Sequence, residues 1–288
     1  MAPQGLAVTL NGRQTRLKWH RLRRARSEGE FSSAVMAAGL HSGASMELDL
    51  TIRADGGFVV LHDDTLDRET TATGPVNAHD KASLAGVHYR QTGLPLILSE
   101  DLSALLTTAH PAALLQFDMK DTLDAITDRG LDHLAYHFGQ SSAPIIFSGG
   151  CPHLIAALAQ RLPHLPRGID PTDRLVEAWQ TSGLTSLEPL LLPELRSTAA
   201  PDTCYLNWEL VLRAQSQGLD LIALCHAEGV KVDAWTYTLA DPAQGFSDRE
   251  WDEFSTLVSL GADQITTDEA LATEAAWTAR QSGETNHD

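Results

Sequence analysis

Glu47 and Asp49 stand two apart in Met46-Glu47-Leu48-Asp49-Leu50. Residues two apart in a strand point to the same side. Both carboxylates then share one face, and Met46, Leu48 and Leu50 take the other. In a parallel strand buried on both faces, two inward carboxylates carry a large desolvation cost unless something positive sits between them. A divalent cation, which takes hard oxygen ligands, offsets that cost. The pattern also fits a half-exposed strand with both acids in water.

Three other segments carry residues of the same chemical kind. Val59-Val60-Leu61 runs into His62-Asp63. Histidine titrates nearest neutrality and suits acid–base work, although a strand-end histidine also serves simply to bond a loop. Leu114-Leu115-Gln116-Phe117 closes on Asp118-Met119-Lys120. Asp118 could complete a metal's ligands, and Lys120 could hold a phosphate oxygen as a point charge; a plain Asp–Lys pair is the alternative. Trp19-His20-Arg21 offers a second proton-transfer group and a guanidinium fork for phosphate. It also lies in a basic run (Arg16, Lys18, Arg21, Arg23, Arg24, Arg26) of the sort commonly found in solvated loops. His133 and His137 are four apart on an expected helix, but no third ligand is nearby, so they are expected on its surface.

The elements that must hold these residues alternate. Strands are expected at Arg16–His20, Ser45–Ile52, Phe58–His62, Ala113–Lys120, Pro144–Phe147, Pro166–Ile169, Thr203–Leu206, Lys231–Tyr237 and Asp263–Thr266. Helices are expected near 30–40, 99–109, 121–138, 151–161, 173–182, 207–228, 248–260 and 268–280. Such alternation implies parallel strands with crossover helices, and eight such units suit an α/β (β/α)8 TIM barrel; a doubly wound open sheet is the alternative. Residues 1–288 read as one domain. A polar excursion over about 64–95 follows the strand ending at His62, and residues 282–288 are expected to be disordered. Catalytic groups of a barrel lie at the C-terminal ends of its strands, where His20, His62, Asp118 and Lys120 fall.

Composition narrows the partners. A formal net charge of -17 argues against nucleic acid and against an anionic membrane surface. A small phosphate remains compatible if a metal ion or a few basic groups sit locally in the site. No apolar stretch approaches a membrane span, and no signal peptide is evident. Three scattered cysteines, Cys151, Cys204 and Cys225, suggest reduced thiols, so a cytoplasmic location is expected.

Taken together, these pieces resemble the glycerophosphodiester phosphodiesterase family. The likeness runs over His20-Arg21, Ser27-Glu28-Gly29-Glu30, Glu47-Leu48-Asp49, His62-Asp63-Asp64-Thr65-Leu66-Asp67-Arg68, Asp118-Met119-Lys120, Ala234-Trp235-Thr236 and Gly261-Ala262-Asp263-Gln264-Ile265-Thr266-Thr267-Asp268. It implies a barrel that binds one divalent cation, Mg2+ or Ca2+, and cleaves a small-molecule phosphodiester to glycerol 3-phosphate and an alcohol. By matching position, Glu47, Asp49 and Asp118 would be metal ligands, His20 and His62 the acid–base pair, and Arg21 and Lys120 phosphate contacts. Trp235 either walls the substrate's apolar side or packs in the core as a tryptophan of the seventh strand.

Three departures stand out. Leu22 replaces a glycine after His-Arg, giving a first loop that is bulkier or differently routed. The family's Pro-Glu-Asn-Thr element is largely lost, with Glu28 the candidate to keep its carboxylate. Asp118 stands where glutamate is usual. They leave the headgroup open, a sugar phosphodiester included, and raise a silent phosphometabolite-binding barrel as the rival; the two retained histidines argue against that rival.

Overall fold

A computed structural model of the chain describes residues 4–106, 109–141 and 144–284. The chain opens with a hairpin, β1 (Ala7–Leu10) and β2 (Arg13–Trp19), paired antiparallel. Its two-residue loop is Asn11-Gly12, with φ of 50° and 81°. Positive φ at both positions is the tight-turn geometry that Asn-Gly favours. The other strands are β3 (Ser45–Ile52), β4 (Phe58–Val60), β5 (Leu114–Met119), β6 (Ile145–Gly149), β7 (Gly168–Ile169), β8 (Thr203–Asn207), β9 (Lys231–Trp235) and β10 (Gln264–Thr267).

Eight of them run β6-β5-β3-β2-β10-β9-β8-β7, and every pairing along this path is parallel. An isolated parallel bridge, Phe147 to Arg167, brings the two ends of that order together. The result is a nearly closed (β/α)8 barrel. The helices between and after strands are α1 (Ser33–Ser42), α2 (Ser99–Leu105), α3 (Leu123–Phe138), α4 (Pro152–Arg161), α5 (Thr172–Ser182), α6 (Leu187–Leu195), α7 (Trp208–Ser216), α8 (Leu221–Ala227), α9 (Asp248–Leu260) and α10 (Ala270–Glu284). None of the helices is long and apolar enough to cross a membrane, among the described residues.

The strand expected at Phe58–His62 is not a barrel stave. β3 overruns the rim, turns, and returns as β4, antiparallel to it. Arg53, nearly inaccessible, pins that turn through Asp55 and Glu100 at 3.0 and 2.7 Å. The return strand brings His62 back beside the acids, with Leu61 N–H donating to Asp49 O at 3.2 Å. The excursion packs over this hairpin: Leu66, Val76, Leu84 and Tyr89 are buried, and the Tyr89 hydroxyl donates to Val60 O at 2.7 Å.

Other expectations are corrected in detail. The helix expected over 207–228 breaks at Gly218, whose φ is +91°, and Asp220 caps the second half by accepting from Ala223 N–H at 2.9 Å. Prolines 189 and 193 hid α6, which tolerates Pro193 near its C-terminal end. His133 is partly buried rather than on the surface, with Ser99 Oγ 2.7 Å from its Nε2. Residues 282–284 are helical, and the rest of the expected tail, 285–288, lies outside the described residues.

Every residue of β3 is buried. Its apolar side packs against α1, where Gly39 faces Met46 and Trp19. A helix-interior glycine ordinarily costs about 1 kcal/mol against alanine. Here a methyl group would collide with Met46 Sδ and lie 2.8 Å from the rigid Trp19 ring. Packing should win over propensity, so Gly39→Ala lowers the denaturant midpoint, by about 1–3 kcal/mol of stability. An unchanged or raised midpoint would show that α1 does not seat on β3 in this way.

Candidate active site

The pairing register brings the acids together. Asp49 lies opposite Asp118, and Glu47 lies opposite Gln116. Carboxylate oxygens of Glu47, Asp49 and Asp118 all fall within 4.8 Å of one another. They border an open cavity of about 300 Å³ that is also lined by His20, Arg21, His62, Lys120 and Trp235. All eight residues singled out in the sequence therefore meet at one place, the C-terminal mouth of the barrel.

Counter-charges surround the acids. Lys120 Nζ lies 2.7 Å from Asp49 Oδ1 and 2.6 Å from Asp118 Oδ2. Arg21 donates its backbone N–H to Glu47 Oε2 at 2.8 Å, and its Nε is 3.6 Å from Asp49 Oδ2. Burial opposes ionisation of Asp49, but Lys120 and Arg21 outweigh it and hold the carboxyl below its usual range. Burial, and then Asp49 beside it, push the Glu47 carboxyl well above the usual range. Asp49 Oδ2 is buried without a hydrogen-bond partner. Hard oxygen donors crowded together, one of them unsatisfied, fit a divalent cation such as Mg2+ or Ca2+.

Each histidine is anchored by its own carboxylate. His20 Nδ1 is 2.7 Å from Asp268 Oδ1, which also receives Arg23 Nη2 at 2.7 Å. His62 Nδ1 is 2.9 Å from Asp63 Oδ1, and Arg68 reaches Asp63 through Nε and Nη2, both at 2.6 Å. Arg68 and His62 hold Asp63 well below the usual carboxylate range; at Asp268 burial opposes this, but His20 and Arg23 prevail. Ionised carboxylates accept, so each Nδ1–H donates and Nε2 is left as the free ring nitrogen.

Beside the acids a one-way chain of hydrogen bonds runs from β2 to β5 and β6. Lys18 donates to Gln116 Oε1, Gln116 Nε2 donates to Ser148 Oγ at 2.8 Å, and Ser148 donates to Asp118 Oδ1 at 2.9 Å. Lys18 also pairs with the fully buried Asp233 at 2.8 Å, and Thr266 Oγ1 donates to Asp233 at 2.7 Å. Gln116 escaped the sequence reading and Lys18 entered it only as part of a basic run, yet each stands two residues before a chosen one, His20 or Asp118, and strand periodicity carries that signal. Asp170 and Tyr205, also on the cavity wall, were missed as well: Asp170 follows a strand of two residues, and the strand of Tyr205 carries no charged side chain to draw notice.

The departures are resolved locally. Leu22 keeps a left-handed backbone, φ 57°, but its side chain is wholly buried and does not line the cavity. The first loop is therefore not bulkier toward substrate. Glu28 binds Arg24, its Oε2 accepting Arg24 N–H at 2.8 Å. The carboxylate that reaches the site's arginines is Glu30, 3.1 Å from Arg21 and 3.2 Å from Arg23, just ahead of the helix cap Ser32.

A barrel with paired histidines, clustered acids and basic groups at its C-terminal mouth has the groups that phosphodiester cleavage needs, and a family match places the chain among phosphodiester hydrolases. The model of the glycerophosphoryl diester phosphodiesterase family matches residues 23–272, and the chain belongs to that family. A glycerophosphodiester phosphodiesterase of Bacillus subtilis (strain 168) is 26% identical over 213 residues, 68% of this chain and 70% of that protein. A glycerophosphoryl diester phosphodiesterase structure from Agrobacterium tumefaciens superposes with a TM-score of 0.66 at 18% identity, covering 93% of this chain and 99% of that one. An Oleispira antarctica phosphodiesterase, solved with the product sn-glycerol-3-phosphate, gives 0.62 at 18% identity over 90% and 95% of the two chains.

Burial lifts the Asp170 carboxyl to about 6, against hydrogen bonds from Thr172 and with Asp118 adding to the lift. A carboxyl whose folded pKa exceeds its unfolded value binds more protons in the native state, so stability falls as pH rises through the interval between the two. Asp170→Asn should therefore match the wild type near pH 4 and become more stable by up to about 2–3 kcal/mol at pH 7. Melting temperatures measured across that range check it; a difference independent of pH would contradict it.

Proposed function

We propose that this chain hydrolyses a glycerophosphodiester to glycerol 3-phosphate and an alcohol, with His20 and His62 moving the protons. The observation that carries the reading is the pairing of two carboxylate-anchored histidines with a three-carboxylate cluster in one cavity. Glu47, Asp49 and Asp118 would hold one Mg2+ or Ca2+, which when bound supplies Lewis-acid charge at the phosphate.

His20 acts as base. Asp268 fixes its Nδ1–H, so Nε2 takes the proton of the glycerol hydroxyl next to the ester, and that oxygen attacks phosphorus. His62 acts as acid, giving its Nε2 proton to the departing alcohol while Asp63 stabilises the ring's charge. A cyclic phosphate formed in this way is opened by water with the two histidines exchanging roles. Arg21 and Lys120 meet the charge on the phosphate oxygens. Lys120 is well suited to this because, although burial opposes it, Asp118, Asp49 and Glu47 keep it firmly protonated. Three unpaired cysteines suit a reducing compartment, and a cytoplasmic location fits them.

Purified protein supplied with Mg2+ or Ca2+ releases glycerol 3-phosphate from a glycerophosphodiester, and EDTA abolishes the release. His62→Ala and Glu47→Ala each lower kcat by about 100-fold or more, the scale of a lost acid–base group. Turnover that survives both EDTA and His62→Ala overturns the reading.

A further inference from the structure

Two polar atoms of the cavity wall are buried with no hydrogen-bond partner: the Tyr205 hydroxyl and Trp235 Nε1–H. Both residues line the cavity that holds the acids and histidines. An unmade hydrogen bond at a buried polar atom costs about 1–3 kcal/mol. Tyr205 is only 3% exposed, and the Lys18 ammonium lies 4.4 Å from its ring centroid, so the ring has little room to turn its hydroxyl elsewhere. Ile169 pairs with Cys204, so Asp170 and Tyr205 each follow a member of the last pair between β7 and β8. Asp170 lines the same cavity.

The position of these groups matters as much as their chemistry. In the strand order, β3 is third and β8 seventh, while β5 is second and β9 sixth. Four strands apart in a ring of eight is diametrically opposite. Tyr205 and Trp235 therefore face the strands that carry Glu47, Asp49 and Asp118 from across the mouth. A diester gripped on the acidic side extends one arm toward this wall. An indole N–H donor, a phenol that both donates and accepts, and a carboxyl acceptor together suit an alcohol. An apolar arm would leave the phenol and the indole N–H unpaired, and an anionic arm would meet Asp170, whose carboxylate already accepts from Thr172 N–H at 2.9 Å.

We propose that Tyr205, Trp235 and Asp170 form a hydroxyl-recognition subsite that selects diesters with a free hydroxyl on the arm crossing the cavity. This rests on the phosphodiesterase reading above. The hydroxyl belongs either to the glycerol, beyond the one that attacks, or to the leaving alcohol.

The test uses Tyr205→Phe and three diesters. Glycerophosphoglycerol carries extra hydroxyls on both arms, glycerophosphocholine on the glycerol arm alone. 2-Hydroxypropyl 4-nitrophenyl phosphate keeps the attacking hydroxyl and has no other. A site built to bond a hydroxyl discriminates strongly against its absence. The kcat/KM for glycerophosphoglycerol relative to the nitrophenyl diester should fall by about 10-fold or more in the variant, while its melting temperature stays level or rises because an unsatisfied buried atom is gone. A parallel fall with glycerophosphocholine assigns the subsite to the glycerol hydroxyl; no such fall assigns it to the leaving alcohol. An unchanged ratio, including an equal loss on all three diesters, overturns the subsite. If the wild type cleaves none of them, the activity reading has failed. The subsite is then judged by calorimetric binding of glycerophosphoglycerol: a Kd about 10-fold weaker in Tyr205→Phe supports it, and an equal Kd overturns it.

Discussion

Carboxylate oxygens of Glu47, Asp49 and Asp118 within 4.8 Å of one another are a charge problem that the barrel mouth is built around. Two full charges at that distance repel by about 3 kcal/mol even in a surface-like dielectric, and Glu47 and Asp49 are buried. The crowding is not a matter of rotamers, because the β3–β5 register sets Asp49 directly opposite Asp118. What surrounds the acids answers this repulsion. Lys120 spans Asp49 and Asp118, Arg21 turns into a left-handed conformation that gives Glu47 its N–H, and burial favours a proton on Glu47.

The same logic extends outward in pairs. Each histidine leans on a carboxylate, and each carboxylate on an arginine, Asp268 on Arg23 and Asp63 on Arg68. The basic run from Arg16 to Arg26, which reads as a solvated loop, is largely consumed in this way. Arg16 caps backbone carbonyls of Gly43 and Ala112, Lys18 is buried against Asp233, and Arg24 closes on Glu28. A chain with net charge of -17 thus keeps a local supply of cations where a phosphate would arrive.

Strand periodicity, with motif likeness beside it, made the β3 acids legible, because alternation survives burial, while Asp118 was the least legible ligand, keeping the charge but not the family's residue. His62 drew on both its strand-end position and motif likeness, whereas His20 and Lys120 rested mainly on the likeness. The return of β4 was hidden because its residues have the same apolar character as a barrel stave, and only the pairing direction distinguishes them. Glu30 was passed over for Glu28 because the altered element gives no frame for counting, whereas the structure fixes it just ahead of the Ser32 cap. Tyr205 and Asp170 share a cavity wall only because β7 and β8 pair, a long-range fact that no local pattern announces.

Titration of the purified chain with Mg2+ and with Ca2+ by calorimetry tests the central claim, that the crowded carboxylates form a cation site. One ion should bind per chain, Asp49→Asn should abolish binding, and His20→Ala should retain it. Absence of binding by either ion, or equal affinity in Asp49→Asn, would contradict the account.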